Sequence, residues 1–231
     1  GYDVKVFHIS EHDIEKGARD IYKIDPLFVG VSSITGNQTK HSALLSKALK
    51  KLNPELTIMW GGVHPSLLPL QCAKEDYLDY VAVGEGEETT LELAQALDGK
   101  RDIKTVKGIV YQDEQRIIMN EKRPLQDNID KYEIDFSLID LEKHLDFQWG
   151  CDKILSFITS RGCPFDCAFC FNLRFNERKW RPHSADRIIS QVNELKEIYD
   201  IDGIRFYDDL LFSNPKRALD LIKGIGLPWY G

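Results

Sequence analysis

The strongest constraint on the fold is the alternation of short apolar strands with amphipathic helices over the first hundred residues. Residues 27–33 form a near-continuous apolar run of the kind that is buried in parallel sheets. Strands are predicted at residues 4–9, 27–33, 56–60 and 80–83, and helices at residues 40–52, shortly before residue 80, and at residues 88–97. Strands that are separated by helices predict an α/β fold with a doubly wound parallel sheet.

Small residues follow three of the predicted strands. Because ligands of such sheets bind beyond the carboxyl ends of the strands, these loops are expected to meet at one ligand-binding edge. Glycine lets a large flat ligand approach the backbone closely, although glycines after strands also mark plain tight turns. The small residues at this edge are Ser33, Thr35, Gly61, Gly62, Gly84 and Gly86.

The pattern changes after residue 100. Residues 106–111 and 116–120, separated by residues 112–115, predict an antiparallel hairpin. Residues 125–149 are acidic and irregular, which indicates a connector on the surface. Strand–helix alternation then resumes, with strands at 154–158 and 203–207 and helices at 184–199 and 215–224. The chain is therefore divided into residues 1–100, a hairpin and acidic connector at 101–150, and a second α/β part at 151–231.

Three cysteines lie close together on the loop that follows the strand at 154–158. Cys163, Cys167 and Cys170 have a C-x3-C-x2-C spacing, which can bring three thiolates to one four-iron cluster and leave one iron without a protein ligand. A zinc site is the first alternative, and His183 is its nearby candidate for a fourth ligand. A disulfide would leave one cysteine over, and three unrelated buried thiols rarely show this spacing.

Charge and composition exclude several classes of protein. The chain has 30 Lys and Arg against 37 Asp and Glu, and a net charge of −7 disfavours binding to a nucleic-acid backbone. No apolar run reaches the roughly 18 residues of a membrane span. Without a signal peptide, and with an odd number of cysteines, a reducing cytoplasmic location is expected. Because the chain starts at Gly1 and ends where a strand begins, we expect a piece cut at both ends.

The cysteine loop, with an aromatic residue before its last cysteine, resembles the signature of the radical S-adenosylmethionine (SAM) family. The resemblance extends over residues 159–163, 180–184 and 206–209. It implies that the chain contains the first part of a partial (β/α) barrel. It also implies that the three cysteines ligate a four-iron four-sulfur (4Fe–4S) cluster, while SAM chelates the fourth iron.

The same resemblance implies a set of SAM contacts. Phe169 stands at the aromatic position that lies against the adenine. Tyr207, Asp208 and Asp209 stand where the family has a Gly-Gly-Glu segment that contacts the SAM amino group. Because this chain departs from that segment, the two aspartates are equally well interpreted as polar residues that end a strand.

The glycine-rich loops ahead of this motif resemble the cobalamin-binding domain of cobalamin-dependent radical SAM proteins. The resemblance covers nearly all of residues 1–100 and implies that the first strand and helix of that domain are lacking. No D-x-H-x-x-G motif is present, so no histidine is assigned to cobalt, and His64 is interpreted as a structural hydrogen bonder. The groove is expected to be lined by Ser33, Thr35, Gly61, Gly62, Gly84 and Gly86.

The two resemblances imply an enzyme. Cleavage of SAM would give a 5′-deoxyadenosyl radical for hydrogen abstraction, with methylation of an unactivated carbon as the expected outcome. The alternatives are a radical SAM cyclase or rearrangement enzyme that uses cobalamin without methyl transfer, and a cobalamin-binding module without catalysis. A small-molecule or lipid-like substrate and an electron donor such as flavodoxin or ferredoxin are the expected partners.

Overall fold

The computed structural model describes residues 1–114, 116–148 and 150–231. Gln115 of the predicted hairpin turn and Trp149 at the end of the predicted connector lie outside the described residues. The chain divides into two compact units. The amino-terminal unit comprises Phe7–Leu125, and the carboxy-terminal unit comprises Gly1–Val6 with Gln126–Gly231. The predicted three-part division stays a prediction.

The amino-terminal unit is built on one sheet. Its strands are β1 (Val29–Ser32), β2 (Ile58–Gly61), β3 (Tyr80–Ala82), β4 (Ile109–Asp113) and β5 (Arg116–Met119), in that order across the sheet. β1, β2 and β3 are parallel, whereas β4 and β5 are antiparallel and form the predicted hairpin. The helices are α1 (Ile14–Lys23), α2 (Asn37–Leu52), α3 (Val63–Leu67), α4 (Pro69–Cys72) and α5 (Glu87–Leu97), and a 3-10 turn covers Ile103–Thr105.

Helices cover both faces of the parallel part of this sheet. Ile58 and Trp60 lie on one face of β2 and pack with residues of α1 and α2. Met59 points to the opposite face, because side chains alternate along a strand, and packs with Leu93 of α5. The buried indole Nε1 of Trp60 donates a 2.9 Å hydrogen bond to Ser46 Oγ of α2. The prediction of a doubly wound α/β sheet is therefore confirmed.

The start of the chain differs from the prediction. Within the described range 1–114, residues 4–9 form no strand, and Val4 and Val6 are exposed. An alternating pattern does not by itself supply the neighbouring strand that it needs for hydrogen bonding. The helix α1 was not predicted, since Gly17 in its interior is a poor helix former. Gly17 lies where Ile9 packs, and a Cβ there would come within 2.6 Å of Ile9 Cδ1.

The carboxy-terminal unit is built on a second sheet with the strand order β11-β10-β7-β6. β7, β10 and β11 are parallel, β6 runs antiparallel to β7, and β8 pairs with β9 in a separate two-stranded ribbon. The strands are β6 (Asp146–Gln148), β7 (Cys151–Phe157), β8 (Ser160–Arg161), β9 (Arg181–Pro182), β10 (Gly203–Phe206) and β11 (Trp229–Tyr230). The helices are α6 (Asn172–Phe175), α7 (Ala185–Tyr199) and α8 (Pro215–Ile225).

The core of this unit lies between its sheet and two helices. Leu155 and Phe157 of β7 share one sheet face and pack against α7 and α8. Ile188 and Val192 of α7 are four residues apart, the spacing that places side chains on one helix face. This periodicity predicted the first of these helices at 184–199, close to the observed bounds of α7, and the helix predicted at 215–224 corresponds to α8.

The connector is partly buried, in contrast to the predicted surface location. Leu141 belongs to the hydrophobic cluster formed by β7, β10, α7 and α8, and Ile129 is fully buried. These apolar residues are spaced irregularly, so the sequence shows no periodic face. The segment forms 3-10 turns at Ile129–Lys131, Phe136–Leu138 and Leu141–His144, and a further turn at Leu211–Ser213 precedes α8. Of the helices described, none has the length and apolar character to cross a membrane.

Candidate functional site

The three cysteines of the predicted cluster motif lie on the loop between β8 and α6. Cys167 is exposed, Cys163 and Cys170 are half-buried, and all three are free thiols. The loop contains a turn in which the amide of Cys170 donates to the carbonyl of Cys167 at 2.9 Å. Across the described residues, no three His, Cys, Asp or Glu side chains stand close enough together to hold a metal ion. The three thiols of the loop are soft ligands that would have to move closer together to bind one metal centre.

The residue before the first cysteine must be glycine. Gly162 has φ +84°, a left-handed conformation that side chains other than glycine rarely adopt. A Cβ at this position would overlap the carbonyl oxygen of Lys179 and lie 2.9 Å from Cβ of Asn176. Asn176 is itself held in place, because Nη2 of Arg181 donates to its Oδ1 at 2.9 Å. The backbone that leads into Cys163 thus passes through a tightly enclosed space.

The predicted SAM contacts lie in two places. Phe169 is on the cysteine loop and is 94% exposed. Tyr207, Asp208 and Asp209 follow the carboxyl end of β10. The hydroxyl of Tyr207 accepts a 2.9 Å hydrogen bond from Nη1 of Arg205, whose guanidinium also lies 5.5 Å from the Tyr207 ring centroid. Asp208 and Asp209 connect the end of β10 to residues 159–162, which lead into the cysteine loop.

The carboxylate of Asp208 is bonded to the segment that leads into the cysteine loop. Its Oδ2 accepts from the amide of Thr159 at 3.0 Å, and its Oδ1 accepts from the Thr159 hydroxyl at 2.8 Å. The hydroxyl of Ser160 also donates to Oδ1. Oδ2 of Asp209 accepts from the amide of Gly162 at 3.0 Å. Neither set of contacts was predicted from the sequence, since the partners are 47 to 49 residues apart.

A buried arginine holds the same segment from the other side. Arg217 of α8 donates from Nη2 to the carbonyl of Thr159 at 2.7 Å and from Nε to the carbonyl of His183 at 2.9 Å. Burial lowers the pKa of Arg217, and the nearby Asp208 and Asp130 oppose this shift. Thr159 is fully buried, and the described structure satisfies its amide, hydroxyl and carbonyl.

His183, the candidate fourth ligand of a zinc site, is engaged elsewhere. Its side chain is buried, and Nδ1 lies 2.8 Å from Oδ1 of Asp130. Burial lowers the pKa of His183, while Asp130 raises it and Arg187 and Arg161 lower it further. Burial would raise the pKa of Asp130, but hydrogen bonds from Ser184 and His183 outweigh it and hold that pKa below its ordinary value. The pair joins the connector to the start of α7.

In the amino-terminal unit, Ser33 and the Gly61–Gly62 pair lie together at the carboxyl ends of β1 and β2. The amide of Ser33 donates to the carbonyl of Gly61 at 2.8 Å. Gly62 has φ +97°, and a Cβ there would lie 2.8 Å from the carbonyl oxygen of Ser33. Ser33 is fully buried, and its Oγ has no hydrogen-bond partner among the described residues. A buried hydroxyl without a partner is rare in proteins and indicates a missing polar group.

Two residues outside the predicted groove, His64 and Ser66, connect its loops. Nδ1 of His64 lies 3.2 Å from Oγ1 of Thr35. This contact agrees with the interpretation of His64 as a structural hydrogen bonder. Ser66 donates to the carbonyl of Gly62 at 2.6 Å and accepts from the amide of Gly84 at 2.9 Å. Both belong to α3, which begins inside the predicted loop. A serine four residues after the second glycine of the Gly61–Gly62 pair was the available signal for Ser66.

The last predicted groove residue, Gly86, lies at the amino-terminal cap of α5. Its carbonyl accepts the amide of Thr90 at 2.7 Å, as the first turn of a helix requires. The structure therefore links five of the six predicted groove residues by direct contacts or through His64 and Ser66. It places Gly86 two residues beyond Gly84 at the start of the next helix.

Comparisons with known proteins add to this geometry. Residues 1–94 match the family model of the B12-binding domain. An uncharacterized methyltransferase of Pyrococcus horikoshii is 32% identical, in an alignment that covers 99% of this chain and 51% of the relative. The anaerobic magnesium-protoporphyrin IX monomethyl ester cyclase of Synechocystis is 28% identical, in an alignment that covers 76% of this chain and 35% of the relative. The chain thus spans about half of these relatives, or less.

A solved structure shares the fold. The radical SAM methyltransferase TsrM of Kitasatospora setae, solved with cobalamin and a 4Fe–4S cluster bound, superposes with a TM-score of 0.76. The match covers 96% of this chain and 46% of TsrM at 15% identity, so it shows a shared fold.

Proposed function

We propose that the chain belongs to the cobalamin-binding radical SAM family and that it is the cofactor-binding part of a cobalamin-dependent radical SAM enzyme. The observation that carries the proposal is the combination of a B12-binding domain at residues 1–94 with the three-cysteine loop after β8. We propose methylation of an unactivated carbon as the reaction, since the Pyrococcus relative is named a methyltransferase. Cyclisation or rearrangement without methyl transfer is the second candidate, favoured by the cyclase relative.

The cysteine loop fits a 4Fe–4S cluster by its chemistry. Cys163, Cys167 and Cys170 would hold the cluster, because three free thiols within eight residues are the soft donors that iron–sulfur clusters take. The chemistry that such a cluster supplies when bound is reductive cleavage of SAM to a 5′-deoxyadenosyl radical that abstracts hydrogen. The chain's own part is to position SAM, and the exposed ring of Phe169 would lie against its adenine.

The groove of the amino-terminal unit fits cobalamin. The hydroxyl of Ser33 has no hydrogen-bond partner among the described residues, and a polar group of the bound cofactor would provide one. Gly62 keeps the loop close to Ser33, and Thr35 and Gly84 would line the same groove with Gly61 and Gly86. The chemistry that cobalamin supplies when bound is delivery of a methyl group. The residues present would bind it and shield it.

The remaining partners follow from this chemistry. SAM cleavage requires an electron, for which we propose a donor such as flavodoxin or ferredoxin. A small-molecule or lipid-like substrate is proposed, since the cyclase relative acts on a porphyrin ester by its name. Exposed Cys167 would be oxidised easily, so a reducing cytoplasmic location suits the loop.

Electron paramagnetic resonance of the anaerobically reconstituted, dithionite-reduced chain tests the proposal. We expect a reduced four-iron signal that changes when SAM is added. Cys167→Ser should abolish the signal. The matched control Cys72→Ser, which alters a buried thiol of the amino-terminal core, should keep it. Binding of zinc instead of iron, or a signal that does not change when SAM is added, would overturn the proposal of an enzyme. The remaining candidate would then be a cobalamin-binding module without catalysis.

A further inference from the structure

The two aspartates at the end of β10 accept hydrogen bonds from backbone amides and side-chain hydroxyls of the segment that leads into the cysteine loop. Asp208 accepts three, from the amide and hydroxyl of Thr159 and from the hydroxyl of Ser160. Asp209 accepts one from the amide of Gly162, the residue directly before Cys163. All of these donors fall within four consecutive residues. The end of β10 therefore holds residues 159–162 at both ends of that segment, through Asp208 at Thr159 and through Asp209 at Gly162.

The burial of this segment makes the bonds important for its position. Thr159 and Ser160 are almost completely inaccessible to water, so their polar groups need partners within the protein. Ser160 also receives the indole Nε1 of Trp180 at 3.1 Å, and it is paired with Pro182 in the β8–β9 ribbon. Without Asp208, the buried amide and two hydroxyls would lose their acceptor. A buried polar group without a partner destabilises the fold.

The same contacts argue against a direct role of Asp208 toward SAM. Oδ1 accepts from the hydroxyls of Thr159 and Ser160, and Oδ2 accepts from the amide of Thr159, so three of about four acceptor sites are used within the chain. A carboxylate that binds an ammonium group through charge-assisted hydrogen bonds needs oxygens that face the ligand. The carboxylate of Asp208 instead bonds to the amide and hydroxyl of Thr159 and to the hydroxyl of Ser160.

We propose that Asp208 and Asp209 are positioning residues that fix residues 159–162 and so place Cys163 for cluster assembly, and that Asp208 does so rather than contacting SAM. This inference rests on the proposed function, because it assigns the purpose of the loop to a cluster. It differs from the family-based expectation in a measurable way: the aspartates act before SAM is present.

Four variants test the proposal in the 231-residue chain. Asp208→Asn replaces one acceptor oxygen by a donor, and Asp209→Ala removes the acceptor of the Gly162 amide. Asp209→Asn keeps an oxygen that can accept from that amide. Asp220→Asn is the control, since Asp220 lies exposed on α8 with Lys216 as its partner at 3.0 Å. Iron content and the reduced spectrum are measured after anaerobic reconstitution without SAM, together with the melting midpoint.

We expect Asp208→Asn and Asp209→Ala to lower cluster affinity about 10- to 100-fold, the range for residues that support metal ligands. Asp209→Asn should restore most of the iron, and Asp220→Asn should match the unmodified chain. If the aspartates supported folding alone, the variants would have a lower melting midpoint, and Asp209→Asn would not restore the iron content. Normal iron content in all variants, with only the SAM-induced spectral change lost, would overturn the proposal and return the aspartates to SAM binding.

A readout in the metal-free chain separates this proposal from the proposed function. The amides of Thr159 and Gly162 should exchange with deuterium faster in Asp208→Asn and Asp209→Ala respectively, and at the unmodified rate in Asp220→Asn. If the unmodified chain takes up no iron, the proposed function fails, whereas faster exchange still supports the fixing of residues 159–162. Unchanged exchange of both amides overturns it.

Discussion

At the scale of single residues, two buried serines of the amino-terminal unit have opposite surroundings. Ser46 Oγ accepts the indole hydrogen of Trp60 at 2.9 Å, whereas Ser33 Oγ has no partner in the described part of the chain. Both side chains are inaccessible to water. A hydroxyl that is buried without a bond destabilises the fold, so its retention at Ser33 suggests a role in binding.

The first prediction follows from this contrast. Ser33→Ala should leave the free energy of unfolding unchanged or raise it, and should weaken cobalamin binding. Ser46→Ala should lower the free energy of unfolding by about 1–3 kcal/mol, because the Trp60 indole loses its acceptor, and should leave cobalamin affinity unchanged. Urea unfolding and titration with hydroxocobalamin measure the two quantities. Equal cobalamin affinity in both variants would remove Ser33 from the groove.

Two glycines with nearly the same backbone conformation permit a second prediction. Gly162 has φ +84° and Gly150 has φ +83°, but a Cβ at Gly150 would meet nothing within 4 Å. Gly150→Ala should therefore cost only the conformational term of about 1–2 kcal/mol. Gly162→Ala adds the overlap with Lys179, so it should destabilise the unit further and reduce iron content after reconstitution. Comparable iron content in the two alanine variants would show that the enclosed space is unimportant.

At the scale of elements, the Asp130–His183 pair ties the connector to the start of α7. Burial holds the pKa of His183 below 6.5 in the folded chain. The unfolded chain therefore binds a proton that the folded chain does not, and stability falls as the pH falls from about 6.5 toward the folded pKa. We expect the melting midpoint of the unmodified chain to fall over this window. His183→Gln should reduce the slope, whereas the same change at exposed His12 should leave it unaltered.

The sequence predicted elements whose signal is local. The apolar residues of α7 recur every three to four residues, and the parallel strands of both sheets are apolar runs. It could not predict the β8–β9 ribbon, since Ser160 pairs with Pro182 across an intervening loop. For the site, the cysteine spacing is visible in eight residues, but the contacts of Asp208 reach 49 residues back. Long-range polar contacts leave no periodic pattern, so the contact of Ser66 with the Gly84 amide, 18 residues along the chain, could not be predicted.

At the scale of the whole molecule, the proposed cofactors fall on different units. The proposed cobalamin groove lies at β1, β2, β3 and α3 of the amino-terminal unit, while the cysteine loop and the contacts of Asp208 belong to the carboxy-terminal unit. Each unit has hydrophobic clusters of its own. Loss of core packing in one unit should therefore act first on the cofactor of that unit.

Two leucines that are both completely buried test this separation. Leu93 packs with Met59 and Ala82 in the amino-terminal unit, and Leu221 packs in the core of the carboxy-terminal unit. Each change to alanine should cost about 2–5 kcal/mol in the unit concerned. After stepped heating, Leu93→Ala should lose bound cobalamin at a lower temperature and keep the iron of the unmodified chain, and Leu221→Ala should show the reverse. Loss of both cofactors at one temperature in either variant would mean that the two units unfold together, because independent cores cannot transmit a local cavity to the other site.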